Sequence, residues 1–271
     1  MSDDASNQKA HVARVFGQVA PGYDRFKTFA YCGPRLVELA QVEPGSAVLD
    51  VAAGTGAVLF PAAERVGPSG RVVGIDLAAP MVQATSAEIA RRGLTNAEIR
   101  QMDAEHLEFP DATFDYVLCG FALFFFPDLQ RALAEFRRVL RTGGRLAATT
   151  FRPTEGPMKR SVDVLRAHQV DVKLMAQPLQ APAELETALQ QAHFADIRVV
   201  DEAVELVYAD EEEWWSAIVG SAQGIALERL GAETRERLKQ EVLSSVQPFK
   251  RADGLHTPHN VLYALATRPP D

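Results

Sequence analysis

Residues Val48–Val58 read VLDVAAGTGAV. The apolar run Val48, Leu49 and Val51 reads as a buried strand, and Gly54 and Gly56 follow where a helix should open. Without side chains, these glycines let backbone N–H groups approach a ligand closely, as in many nucleotide sites. Two features depart from the dinucleotide fingerprint. Its third glycine falls on Leu59, and the Asp50 carboxylate stands four residues ahead of Gly54, where a pyrophosphate would be repelled. The loop therefore asks for a ligand that combines open backbone with a nearby negative charge.

From 45 to 151 the same rhythm repeats. Strand-like runs (SAVLDVA, RVVGID, EIRQMD, FDYVLCG, RLAATTF) alternate with helical patterns (FPAAERV, PMVQATSAEIARR, LQRALAEFRRVLR). Such alternation predicts parallel strands joined by crossover helices, an α/β doubly wound sheet. Pro80 and Gly93 bracket one helix, Gly143 and Gly144 are expected to close another that buries Leu129, Leu133, Phe136 and Leu140, and Pro61 reads as an early-turn proline. Ahead of this region Val12, Val15, Phe16 and Val19 recur at helical spacing up to Pro21 and Gly22.

After 152 helices are expected at 157–175, 182–193 and 211–246, the last opened by Asp210 with Glu213 in a near capping box. A strand, DIRVVDEAVELVY, changes phase between Val199 and Val204, which predicts a bulge or bend there. The final strand is expected as NVLYALATR.

Asp50, Asp76 and Asp103 each lie in or at the end of successive predicted strands, so the order of elements brings three acids toward the carboxyl edge of one sheet, where ligands bind in open α/β folds. Asp76 lies twenty residues beyond Gly56, the spacing of a ribose-binding acid. Either feature alone is also what a turn or a helix cap looks like.

The chain has 271 residues, 47% hydrophobic, with a formal net charge of -8. Its Lys and Arg residues are scattered, which argues against nucleic acid and for a small-molecule partner. Cys32 and Cys119 are far apart and fit neither a disulfide framework nor a metal motif, so no metal is expected and the chain reads as cytoplasmic. The apolar run FALFFF at 121–126 ends at Pro127, too short for stable membrane insertion.

VLDVAAGTG, GIDLAAPM, QMDAEHLEF, FDYVLCGFALFFFPD and LRTGGRLAATTF resemble, in order, the motifs of the class I S-adenosylmethionine-dependent methyltransferases. The lead-in FGQVAPGYDRF resembles the branch containing the ubiquinone and menaquinone C-methyltransferases. The resemblance covers roughly residues 12–152. It implies a Rossmann-like, mostly parallel seven-stranded sheet with an N-terminal helix and a helical cap. The chain is then one domain, 1–271, with a cofactor-binding core at 45–152 and a cap or substrate region at 153–195 and 209–257. It also answers the question of the loop, because S-adenosylmethionine has no phosphate and carries a sulfonium and an ammonium.

The resemblance assigns the methionine part to Asp50, Ala52, Gly54 and Gly56, the ribose to Asp76, and the adenine flanks to Leu77 and Met81. Asp103 would accept from the adenine amino group while the Ala104 N–H donates. Cys119, Gly120 and Phe121 would line the floor beneath the sulfonium, and Tyr23 would reach the cofactor carboxylate. Structural roles stand beside these: a turn for Tyr23, core for Met81 and Phe121, and a small buried hydrophobe for Cys119. Phe124, Phe125, Tyr208, Trp214 and Trp215 are either core or walls for an aromatic or hydrophobic acceptor. Among His106, His168, His193, His256 and His259 the sequence singles out no catalytic base. Two other readings are a methyltransferase-fold protein that catalyses a non-methylating reaction or only binds a ligand, and a nicotinamide-dependent dehydrogenase.

Overall fold

The computed structural model describes residues 2–170, 178–228 and 230–270. Residues 171–175 of the helix expected at 157–175 lie outside the described residues; its described part is α6, Pro157–Ala167. The chain opens with α1 (Ser2–Val19), a short 3-10 turn (Ala20–Arg25) and α2 (Lys27–Leu39). Then come β1 (Ala47–Val51), α3 (Leu59–Val66), β2 (Arg71–Asp76), α4 (Ala79–Arg92), β3 (Ala97–Gln101), β4 (Phe114–Gly120), α5 (Leu129–Val139) and β5 (Leu140–Arg152). Beyond α6 follow α7 (Pro182–Gln191), β6 (Ala195–Tyr208), α8 (Glu211–Val219), α9 (Ala222–Glu228), α10 (Ala232–Ser245), β7 (Lys250–Arg251) and β8 (Gly254–Thr267).

The sheet runs β3-β2-β1-β4-β5-β8-β6. β1 to β5 are parallel, and β8 is antiparallel to both β5 and β6. The strand order reverses between β1 and β4, which is where ligands bind in doubly wound sheets. There are eight strands rather than seven, because the two-residue β7 pairs with the start of β8.

Helices cover both faces, so the central strands are apolar on both sides. Leu49 and Val51 pack on one face with Leu133 and Phe136 of α5, while Val48 packs on the other with Leu36 of α2 and Leu59 of α3. Each such side chain contributes about 1.5–3 kcal/mol when fully buried. A separate apolar cluster joins α6, α8 and α10 through Leu165, Trp214, Ile218 and Val242. A smaller one fastens α1 to α4 through Val15, Val19 and Met81.

Several boundaries differ from the sequence reading. α5 ends at Val139 and Leu140 already pairs with Phe114, so Gly143 (φ 77) lies in an irregular stretch of β5 instead of closing the helix. The irregularity in β6 falls between Ala195 and Arg198, not at Val199–Val204. Both faces of β6 are covered there: Val199 packs against the cluster that includes α7, Val200 against the cluster around α2, so consecutive valines imitate a phase change. β8 begins at Gly254, well before the expected NVLYALATR, because its first half pairs with the second half of β6. The block at 211–246 is three helices, broken around Gly220 and Gly231. Pro61 is the third residue of α3, where its missing N–H has no intrahelical partner to lose.

Candidate active site

The carboxyl ends of β1 and β2 build the first part of the site. Ala52 takes φ 55, uncommon for a residue with a Cβ, and Gly54 takes the same angle. Asp76 holds the loop in that shape: its Oδ2 accepts the Gly54 N–H at 2.9 Å and its Oδ1 the Ala78 N–H at 2.8 Å. Thr85 of α4 donates its hydroxyl to the Gly54 carbonyl at 2.7 Å. Burial raises the Asp76 pKa above the ordinary carboxylate value, against the pull of the Ala78, Gly54 and Leu77 N–H groups.

Asp50 is 1% exposed, and neither carboxylate oxygen has a hydrogen-bond partner of full geometry. Burial first, and then the charge of Asp76, push its pKa well above the ordinary value, with only the Leu59 N–H working the other way. A buried carboxyl without a cation beside it is expensive to ionise.

Asp103 lies just past β3. Its Oδ1 accepts the Glu105 N–H at 2.9 Å, and its Oδ2 meets the Lys9 ammonium at 2.7 Å. Burial opposes its ionisation, but Lys9 and the Glu105 N–H outweigh burial and hold its pKa below the ordinary value.

One cleft joins these acids. Its first lobe is lined by Asp76, Leu77, Met81, Asp103 and Ala104 with Lys9, Val12 and Phe16 of α1. Its second lobe is lined by Asp50, Cys32, Gly33, Phe29 and Thr149. Tyr23, Ala52, Gly54, Gly120 and Phe121 belong to both. Cys119 does not line the cleft. Its side chain points into the apolar layer shared with α5, and burial pushes its thiol pKa up. The neighbouring Gly120 and Phe121 face the cleft because the strand pleat alternates and Phe121 turns the chain at φ 53. Gly56 is also off the cleft: it serves the turn, at φ 93, with its N–H donated to the Ala53 carbonyl.

Tyr208, Trp214 and Trp215 are core of the α6–α8–α10 cluster, whereas Phe125 lines the cleft and meets Phe16 at 5.0 Å. Of the histidines, His168 pairs with Glu241, His256 with Asp253 and Glu205, and His193 is exposed. His106 stands beside Asp103 at 3.4 Å. His259 is buried, edge-on to Phe26 at 6.0 Å and 3.5 Å from the Thr28 hydroxyl, and burial pushes its pKa down to about 4.

Sequence reasoning missed Lys9, Phe16, Gly33, Thr85 and Thr149. The helical spacing of Val12, Phe16 and Val19 marked the face of α1, but nothing local says that this face closes over β3. Thr149 accepts the Phe121 N–H at 3.0 Å, a contact set only by strand register.

The site fits S-adenosylmethionine on its own chemistry. The buried Asp50 carboxyl, with no cation beside it and only the Leu59 N–H acting on it, suits an ammonium or sulfonium, and the open backbone at Gly54 suits a ligand that lies against it.

Residues 48–144 match a methyltransferase domain family. Nocamycin O-methyltransferase of Saccharothrix syringae is 40% identical over 210 residues, 71% of this chain and 75% of its own. Demethylmenaquinone methyltransferase of Listeria monocytogenes serotype 4a (strain HCC23) is 36% identical over 150 residues, 53% of this chain and 62% of its own. Among solved structures, the YcgJ protein of Bacillus subtilis shares the fold at TM-score 0.58 and 19% identity, covering 87% of this chain and 97% of that one. The chain belongs to the class I S-adenosylmethionine-dependent methyltransferases. It is an enzyme that moves a methyl group from S-adenosylmethionine to a small-molecule acceptor, which sets aside both the ligand-binding and the dehydrogenase readings. No helix among the described residues is long and apolar enough to cross a membrane.

Proposed function

We propose that the acceptor is a hydrophobic small molecule methylated on oxygen, held between the cofactor cleft and the helices α6 and α8–α10. The observation that carries this reading is a continuous aromatic wall. Tyr23 stacks on Phe29 at 4.8 Å, Phe29 lies 5.5 Å from Phe121, and Phe121 stacks on Phe151 at 4.3 Å. It runs from Tyr23 and Phe121, which line both lobes of the cleft, to Phe151 near the end of β5, and it suits a flat or apolar ligand. The name of the Saccharothrix relative supports oxygen as the acceptor atom.

In this reading Asp50, Ala52 and Gly54 hold the methionine part, Asp76 the ribose, Leu77 and Met81 the adenine faces, and Asp103 with the Ala104 N–H the adenine edge. Tyr23 closes the cleft over the loop. Bound there, S-adenosylmethionine supplies a methyl group already activated on sulfonium. What the chain adds is alignment: rigid glycine-loop and aromatic surfaces hold acceptor and donor in line, which converts a bimolecular step to an effectively unimolecular one. The aromatic wall also excludes water. Two free buried cysteines support a reducing, cytoplasmic setting.

The test is methyl-labelled cofactor offered with hydrophobic phenols and carboxylic acids beside matched amines and carbon acids. Label on oxygen is expected; label confined to nitrogen or carbon refutes the oxygen assignment. For the cofactor roles, Asp76→Ala is expected to weaken S-adenosylhomocysteine binding by ~1.5–3 kcal/mol in calorimetry, the scale of hydrogen bonds to a charged group.

A further inference from the structure

α1 does more than lead into the fold. Lys9, Val12, Ala13 and Phe16 share one helix face by their spacing, and all four line the cleft over Asp103 and Ala104. The Lys9 ammonium reaches Asp103 Oδ2 at 2.7 Å and Glu105 Oε2 at 2.5 Å, with its side chain 19% exposed. Both carboxylates are set in place independently of Lys9. Asp103 Oδ1 accepts the Glu105 N–H at 2.9 Å, and Glu105 Oε1 accepts the Asp128 N–H at 2.9 Å. The seat thus sets two carboxyl groups against one ammonium, with the His106 ring 3.4 Å from Asp103 Oδ2 on the outer side. Burial works against the charge on Lys9, but the hydrogen bonds to Asp103 and Glu105 outweigh it, so the pair stays ionised.

We propose that α1 is a lid over the adenine end of the cleft and that Lys9 is its latch on the Asp103–Glu105 seat. The inference rests on the reading of Asp103 as the adenine partner. Asp103 can then be shared with or passed to the adenine amino group while Glu105, which is 4% exposed, keeps the ammonium. Lys9 is a positioning residue: it touches the seat and holds the helix that covers the cofactor.

A lid predicts a kinetic signature that a simple binding contact does not. Releasing the latch speeds both opening for association and escape, leaving affinity nearly unmoved. Association and dissociation rates of S-adenosylhomocysteine are to be measured by surface plasmon resonance on wild type, Lys9→Met and Lys9→Arg. Both rates are expected to rise about fivefold in Lys9→Met, the scale of a partly exposed ion pair, with Kd changed less than about threefold, and Lys9→Arg to restore slower rates. Because S-adenosylhomocysteine is a zwitterion without net charge, added salt should accelerate both rates in wild type and neither in Lys9→Met. Amide exchange of α1 should slow on ligand binding in wild type and slow less in Lys9→Met. Unchanged rates, or a faster dissociation with association unmoved, overturn the latch while binding itself persists. A wild-type protein that does not bind S-adenosylhomocysteine overturns the cofactor reading and the latch with it.

Discussion

Asp50 shows what a binding residue costs its own fold. Its pKa is raised on folding, so its contribution to stability is fully present below the unfolded carboxylate pKa and is lost as pH rises through the folded one. At neutral pH the unfolded chain holds this side chain ionised, whereas burial in the native state disfavours that charge, so the group works against folding there. Asp50→Asn is therefore expected to raise stability by about 1–3 kcal/mol, the range for a buried polar group lacking its partner, while weakening cofactor binding. Denaturation and calorimetry on the same variant check both signs, and a variant that loses stability would contradict this account. His259 works with the opposite dependence. Buried and neutral, with its pKa pushed down to about 4, it takes up a proton only when the chain unfolds or the pH falls far. Stability should decline as pH drops from about 6.5 toward 4, by at most about 1.4 kcal/mol per pH unit from this group. His259→Gln should flatten that part of the stability–pH curve, and a parallel curve would assign the decline to other groups.

Among elements, α2 and the glycine loop are fitted to each other. A Cβ on Gly33 would stand 1.9 Å from the Ala57 carbonyl oxygen, a backbone atom that cannot swing aside. Gly33→Ala should cost at least about 1–3 kcal/mol, the range for overpacking, and should lower cofactor affinity because the loop must shift. Normal melting with normal affinity would show that the helix can retreat. No pattern in residues 27–39 announces this role, since Gly33 and Pro34 read as helix breakers and the helix forms around them through packing of Cys32, Leu36 and Val37. By contrast, α4 was legible to within one residue: it starts at Ala79, Pro80 sits in its first turn and Gly93 ends it at φ 64. Local chemistry decides such caps, whereas the ends of α5 and β8 depend on partners far along the chain.

At the scale of the whole molecule, the cap helices meet the lead-in through backbone. A Cβ on Gly220 would approach the Gly22 carbonyl oxygen to 2.5 Å, next to Tyr23 of the cleft. The Arg25 guanidinium also donates to the Ser216 hydroxyl at 3.0 Å across the same seam. Gly220→Ala is expected to pry α8 from the 3-10 turn, cutting methyl transfer while shifting the melting temperature less than Gly33→Ala does, because the wedge opens a seam and not the sheet core. Steady-state kinetics beside thermal melts test the order of the two effects, and reversal of that order would place the seam in the main core.

What the sequence determined by itself is the doubly wound core and the three acids at its edge. Period-two and helical patterns, the glycine loop and the spacing from Gly56 to Asp76 are local, and the strand order then carries Asp50, Asp76 and Asp103 to one rim. Tertiary structure alone decided that Lys9 closes over Asp103, that Gly33 abuts the loop, that Cys119 faces away from the cleft and that β8 runs from Gly254. Each of these depends on contacts between distant segments, whose register and close approach are set by packing and leave no periodic trace along the chain.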